Sequence, residues 1–319
     1  MKNFVIWCAA IALSLSLVSC EHKDLCYLHP HSGNVEVKFD WRNAPDAEPG
    51  NMLLWFYPVD GGSPVQFQLS GHEGGVVSIT PGDYRIICLD GDHENILYSG
   101  ESTFDGFEIA THGASLLRHL NRANVSANVP RAEGTDDQDV IDEPDQVYGD
   151  ALETAVSVPV NATTTITMYP EEYAHTYEVE IRDVENLDRA QSLSGSLSGM
   201  TGSLRVADRA MTGTPKLMPF SLTKVDATTL RGTFLTFGHC PEPAVPHKVV
   251  VYAIMHDGAQ RYQIYGDADD VVTPQIHEAA DPHHVKIVLH GLNLPEESQG
   301  GGLMPSVDGW GDKNVDIEL

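Results

Sequence analysis

Two cysteines and three histidines crowd the stretch SCEHKDLCYLHPHSG, residues 19–33: Cys20, His22, Cys26, His29 and His31. Thiolate and imidazole are the ligands zinc prefers, but a closed zinc site takes four of them, usually as two tightly spaced pairs. The second pair is missing here, and Cys20 stands at a junction where another chemistry claims it, so no metal is expected. Clustered carboxylates raise calcium as a ligand at DGDHE (90–94), DDQD (136–139) and GDADD (266–270). None carries the complete ligand loop with its distal glutamate. Catalytic patterns fail in the same way. GSLSG at 195–199 has Leu197 where a nucleophile elbow needs serine, and His72-Glu73, His93-Glu94 and His277-Glu278 lack the second histidine of a zinc-hydrolase helix. No phosphate loop or dinucleotide fingerprint occurs. The expectation is a protein that is not an enzyme and carries no cofactor.

The elements around the cysteines explain them better. Met1, Lys2 and Asn3 precede the apolar run FVIWCAAIALSLSLV, residues 4–18. This is an export signal, and it is shorter than the ~20 residues a spanning helix needs. Its end, Leu17-Val18-Ser19-Cys20, resembles the lipobox of bacterial lipoproteins, which makes Cys20 the expected site of acylation and the new N-terminus. One acyl chain holds a protein only marginally, and two or three make attachment stable at about 0.8 kcal/mol per buried CH₂. Residues 1–19 are then signal peptide, and 20–33 a lipidated tether.

Loss of the signal removes only Lys2 among charged side chains, leaving the chain one unit more negative than its formal −27. Such a chain is repelled by nucleic acid and by anionic headgroups. Of the five cysteines, Cys26, Cys88 and Cys240 remain after Cys8 and Cys20 are set aside. Cys88, in YRIICLD, reads as a buried strand residue; if a bridge forms, Cys26 with Cys88 is the pair to test.

The body reads as strands. NVEVKFDW (34–41) alternates apolar and polar residues, NMLLWFYPVDGG (51–62) is almost continuously apolar, and SPVQFQLS, GVVSITPGDYRIICLDGD and NILYSGESTF follow, with a turn at Pro81-Gly82-Asp83. RAEGTDDQDVIDEPDQVYGD (131–150) carries eight acidic residues and reads as solvated linker. Further strands are expected at 153–160, 163–170, 177–184, 228–238, 247–258, 260–267 and 283–291, with 192–206 a small-residue region. One short helix is expected, with Thr273 as cap, Pro274 at its first position and about two turns to Ala280. The expected fold is all-β: two tandem β-sandwiches, 34–130 and 158–319, joined by an acidic linker or loop at 131–157.

CEHKDLCYLHPH, VKFDW, WFYPVDGG, ITPGDYRIICLDGD, LSGM, GTFLTFG and GGGLMPSVDGW together resemble Bacteroidales surface lipoproteins, in a domain-of-unknown-function branch beside the fimbrial-anchor (FimB/Mfa-type) families. The resemblance implies two transthyretin-like sandwiches, a lipid anchor in the outer membrane at the cell surface, and an anchor or accessory role in a fimbria-like assembly with fimbrillin-like subunits as partners. Those fimbriae grow by strand addition, in which backbone hydrogen bonds supply affinity and alternate side chains supply register. The last residues alternate, with Val315, Ile317 and Leu319 on one face. Alternation identifies a half-buried strand and leaves open whether it completes the chain's own sheet or enters a partner. A rival reading is a glycan-binding surface lipoprotein in which Trp41, Trp55 and Trp310 stack on sugar; strand periodicity instead places Trp41 and Trp55 in the core.

Overall fold

In the computed structural model, residues 32–116, 118–120, 129–241, 245–267 and 270–295 are described. Along the chain they form β1 (Gly33–Phe39), β2 (Asn51–Pro58), β3 (Val65–Ser70), β4 (Gly74–Ile79), β5 (Gly82–Asp90), β6 (Ile96–Ser99) and β7 (Glu108–Thr111). After a long connection come β8 (Tyr148–Val158), β9 (Thr163–Met168), β10 (Glu171–Glu172), β11 (His175–Glu185), β12 (Ala190–Met200), β13 (Ser203–Arg205) and β14 (Met211–Thr212). Then follow β15 (Lys216–Ser221), β16 (Thr223–Lys224), β17 (Leu230–Thr236), β18 (Val249–Met255), β19 (Gln260–Tyr265), the helix α1 (Thr273–His277) and β20 (His284–Asn293). Among the described residues no helix is long and apolar enough to cross a membrane.

The described residues make five sheets, and the chain is all-β as expected. Sheet I (β4-β1-β9) faces sheet II (β10-β8-β5-β2-β3) across a core that includes Val35, Val37, Leu54, Phe56, Ile86 and Met168. Sheet III (β14-β13-β7-β6) covers the other face of sheet II, where Trp55, Tyr57, Ile87 and Leu89 meet Phe107, Ile109 and Leu204. Successive residues of a strand point to opposite faces, so β2 and β5 are apolar on both. That double burial is why NMLLWFYP and YRIICLD read as nearly unbroken apolar runs. Sheet IV (β16-β17-β11-β20) and sheet V (β15-β12-β18-β19) enclose the largest core, with Tyr177, Val179, Phe234 and Ile287 on one side and Leu197, Phe220 and Val251 on the other.

Strand pairing moves the expected boundary. β8 pairs antiparallel with β5, from Gly82↔Val158 to Leu89↔Gly149, and β9 runs parallel to β1, from Asn34↔Thr163 to Phe39↔Met168. The end of the proposed 131–157 linker is therefore a strand inside sheet II, and residues from 158 to 168, expected in the second sandwich, complete the first. Sheet III likewise mixes β6 and β7 with β13 and β14. Alternation marks a strand but not its partner, and a parallel partner requires a long crossover that local pattern does not announce.

The acidic connection is also more than solvated loop. Ala132 and Ile141 are buried, and the Arg131 guanidinium donates to the carbonyls of Thr135, Asp136 and Gln138. Ile141 N–H donates to Leu217 O at 2.9 Å and Leu217 N–H to Asp139 O at 2.9 Å, so the connection lies along the outer edge of β15. Gln138 Oε1 accepts the buried Gly199 N–H at 3.0 Å. Gln138→Ala leaves that donor without a partner and is expected to cost about 1–3 kcal/mol, measured by urea denaturation; a change below about 0.5 kcal/mol, the usual scale of a surface substitution, would show that water replaces the side chain.

SLSGSLSGM, expected only as a small-residue region, is β12 in the middle of sheet V, buried from Leu193 to Met200 apart from half-buried Ser192 before it. Its glycine has a packing reason. Gly195 lies opposite Phe220 of β15, and a Cβ there would stand 2.3 Å from the ring. A Cβ on Gly232 of facing β17 would likewise crowd this ring, standing 2.7 Å from Phe220 Cδ2. Phe220 thus fills a slot left by two glycines and stacks on Phe234 at 4.8 Å.

Candidate functional site: strand edges and a histidine cluster

Cys20, His22, Cys26, His29 and His31 at the start of the chain, and Val315, Ile317, Leu319 and Trp310 at its end, lie outside the described residues. Cys88 is a free thiol with no exposed surface, set in the core between sheets I and II, where burial pushes its pKa far up. Trp55 is 2 % exposed and belongs to the core under sheet III. Trp41 is half-buried, its indole N–H held by His72 O at 2.7 Å and its ring packed edge-on against Tyr148. These two tryptophans do not form a stacking platform.

The carboxylates of the acidic motifs serve as acceptors for the fold. Asp90 Oδ1 takes His93 Nε2 at 2.9 Å and Tyr148 N–H at 2.8 Å, and Asp92 takes Gly50 N–H at 2.9 Å. Asp139 pairs with Lys216 at 2.6 Å, and Asp267 pairs with Lys248. Among the described residues no group of three or more His, Cys, Asp or Glu side chains is placed to hold a metal ion. On the face of sheet IV, Glu180 accepts from Lys286, Arg231 and Arg182, and these bonds hold its carboxyl down to about 2.

A protein that assembles by strand addition needs a sheet edge whose backbone groups are unpaired. Some edges here are closed. The edge of β15 carries the 139–141 segment described above. At β20, the last strand of sheet IV, the Gln275 side chain on α1 imitates a neighbouring strand: its Oε1 accepts Val288 N–H at 2.7 Å and its Nε2 donates to Val288 O at 3.1 Å. Gln263 Nε2 donates to Gly291 O at 2.8 Å on the same strand. Among the described residues, β3, at one end of sheet II, and β4 and β9, at the ends of sheet I, have a strand on one side only. Val65 on β3 and Val76 on β4 are exposed there.

Beside α1 stands a group that sequence reading passed over, because its members come from five separate segments. His247 is 1 % exposed; its Nδ1 donates to Ser198 O at 2.8 Å, which leaves Nε2 as an acceptor facing His277 Nε2 at 3.1 Å. The His239 ring lies 4.7 Å from that of His277 and 5.5 Å from that of His247. His175 and His283 follow, with ring centroids 4.4 Å apart. Burial first, then the neighbouring histidines, lowers the pKa of His175 to about 4; burial does the same for His247, to about 4, and lowers that of His239. Thr273, expected as a helix cap, instead accepts His247 N–H at 3.0 Å and donates to Asp270.

Layered, mostly antiparallel sheets, with a terminal strand closed by a glutamine side chain, define an all-β sandwich protein. The chain belongs to the family described as Domain of unknown function (DUF5119), whose sequence model matches residues 19–221. It is similar to a Bacteroides ovatus protein provisionally named as the fimbrium anchoring subunit Fim4B, with 33% identity over 98 residues. That match spans 30% of this chain and 29% of the relative, so it covers under a third of either. In structure it is similar to a protein of Bacteroides ovatus ATCC 8483 provisionally named as an adhesin, at a TM-score of 0.59 and 18% identity, over 88% of this chain and 99% of that one. That identity makes the likeness one of fold. The fimbrial anchor protein Mfa2 from Porphyromonas gingivalis superposes with a TM-score of 0.48 at 14% identity, over 81% of this chain and 90% of that one.

Proposed function

We propose that this protein is the anchor or an accessory subunit of a fimbria-like assembly, tied to the outer membrane through lipid on Cys20, displayed at the cell surface and joined to its partners by β-strand pairing. The observation that carries this reading is the 33% identity to a relative provisionally named as a fimbrium anchoring subunit. Two further features support it. The family match begins at residue 19 and so takes in the lipobox cysteine, and among the described residues terminal strands of sheets I and II have one neighbour. The role is structural and non-enzymatic, with fimbrillin-like subunits as partners. Val315, Ile317 and Leu319 are the proposed donated face, unless that strand completes the chain's own fold.

Crosslinking in intact cells, followed by recovery of a tagged chain, tests the reading. Wild type is expected to retain fimbrillin-like subunits in the membrane fraction, and Cys20→Ala to lose both membrane attachment and the retained subunits. Deletion of 311–319 is expected to leave a folded, membrane-bound protein without its partner. Recovery of the wild-type protein alone would overturn the assembly role, and unfolding of the deletion would make the last strand structural.

A further inference from the structure

Independently of that function, we propose that the histidines gathered around α1 form a proton-operated latch, which on acidification releases α1, and Gln275 with it, from the free edge of β20. The geometry is that of a cluster with room for few protons. His247 Nδ1 already donates to Ser198 O, and its Nε2 faces His277 Nε2 at 3.1 Å. One proton serves this contact: His277 donates and His247 accepts. With both rings protonated, two N–H donors face each other across the same gap, and two positive charges stand together beside the His239 ring.

The surroundings offer little compensation. His239 presents a third imidazole, with Tyr177 Oη 3.5 Å from its Nδ1. From β11 and the approach to β20, His175 and His283 add two more, with Asp281 the carboxylate beside them. Asp270, before α1, is the carboxylate acting on His247, and it already takes the Thr273 hydroxyl. Glu278 follows His277 in sequence. The neighbouring Lys248 is occupied by Asp267 and by Glu133 O. Five imidazoles thus meet three carboxylates, and Asp281 also pairs with His284 Nδ1 at 3.0 Å.

What moves is set by the same helix. α1 is five residues long and carries both His277, exposed and touching His247, and Gln275, whose amide closes Val288. Its hold on the core rests on Ile276 and, just before it, Val272. An open form takes up the protons that the closed form refuses, so acid favours opening. The sign follows from His247, held near 4 when buried against about 6.5 when free: stability is unaffected above about 6.5, falls as pH drops from there to about 4, and is level below. From pH 7 to pH 5 this one group raises the opening equilibrium roughly 20-fold. The window lies above that of Glu180, whose stabilising contribution is present above about 4.5 and lost as pH falls toward about 2.

Hydrogen exchange of the full chain in detergent, corrected for the intrinsic pH dependence of exchange, reads the latch directly. Amides of 275–278 and 286–290 are expected to open at least about 20-fold more at pH 5 than at pH 7, with β2 and β5 unchanged. His277→Gln is expected to weaken this response, because the amide takes up no charge and can offer its carbonyl to the protonated His247 ring, while the burial of His247 remains. His247→Asn removes the titrating group and is expected to do the same; because His277 is exposed, its variant keeps the test valid if the buried substitution unfolds the protein. A β20 response independent of pH, or an equal rise in all five sheets, overturns the proposal. So does protection of these amides by Zn²⁺ at pH 7 that His247→Asn abolishes, which would make the cluster a metal site instead.

Discussion

Trp55→Ala is expected to lower folding stability by about 3–5 kcal/mol, the range for removal of a large buried aromatic, seen as a fall in the urea midpoint at unchanged slope. Trp55 belongs to β2, in the middle layer of three, and packs edge-on against Phe107 at 4.9 Å and Tyr98 at 6.1 Å. Those two rings also contact each other at 5.7 Å. The cavity would open between sheets II and III, and sheet III is built from two widely separated parts of the chain. Two distant segments therefore lose a shared anchor. Trp41→Ala is the comparison: its ring is half-buried and at the margin of a core, so the loss should be clearly smaller. Equal losses would show that sheet III does not depend on the tryptophan beneath it.

Gly195→Ala is the second large effect, expected to cost about 1–3 kcal/mol, the range for overpacking a filled core. The added methyl would stand 2.3 Å from Phe220 Cζ, and the ring has little room to retreat because it lies close over Gly232 and stacks on Phe234. Shortening the ring should relieve the clash. In a double-mutant cycle, Gly195→Ala combined with Phe220→Leu is expected to be less destabilising than the two single changes added together, by at least about 0.5 kcal/mol. Additive losses would mean that backbone adjustment of β12, rather than the ring, absorbs the methyl.

The two residues illustrate different degrees of legibility. Trp55 sits in a run that announces a strand, and its core position follows from periodicity; that the run is buried on both faces is already implied by its unbroken apolarity. Gly195 belongs to a run of serines and glycines whose composition suggests loop. Its strand exists because a neighbouring aromatic ring takes the volume that the glycine leaves, and that ring is 25 positions away in sequence. The histidine cluster is hidden for the same reason. His175, His239, His247, His277 and His283 follow no spacing rule, and each alone reads as a surface or turn residue.

Residue chemistry alone determined the all-β class, most strand positions, the short helix at Pro274, and the acidity that disfavours nucleic-acid partners. These depend on local periodicity, on turn residues and on summed charge, all of which are short-range or additive. Tertiary structure alone decided that β8 and β9 complete the first pair of sheets, that β12 is a central strand, that the acidic connection seals the edge of β15, and that Gln275 closes β20. Each of these depends on which distant segments share backbone hydrogen bonds or volume. Such pairing is chosen by the best joint burial of the whole chain, and an alternating strand carries the same local pattern whichever neighbour it finally takes.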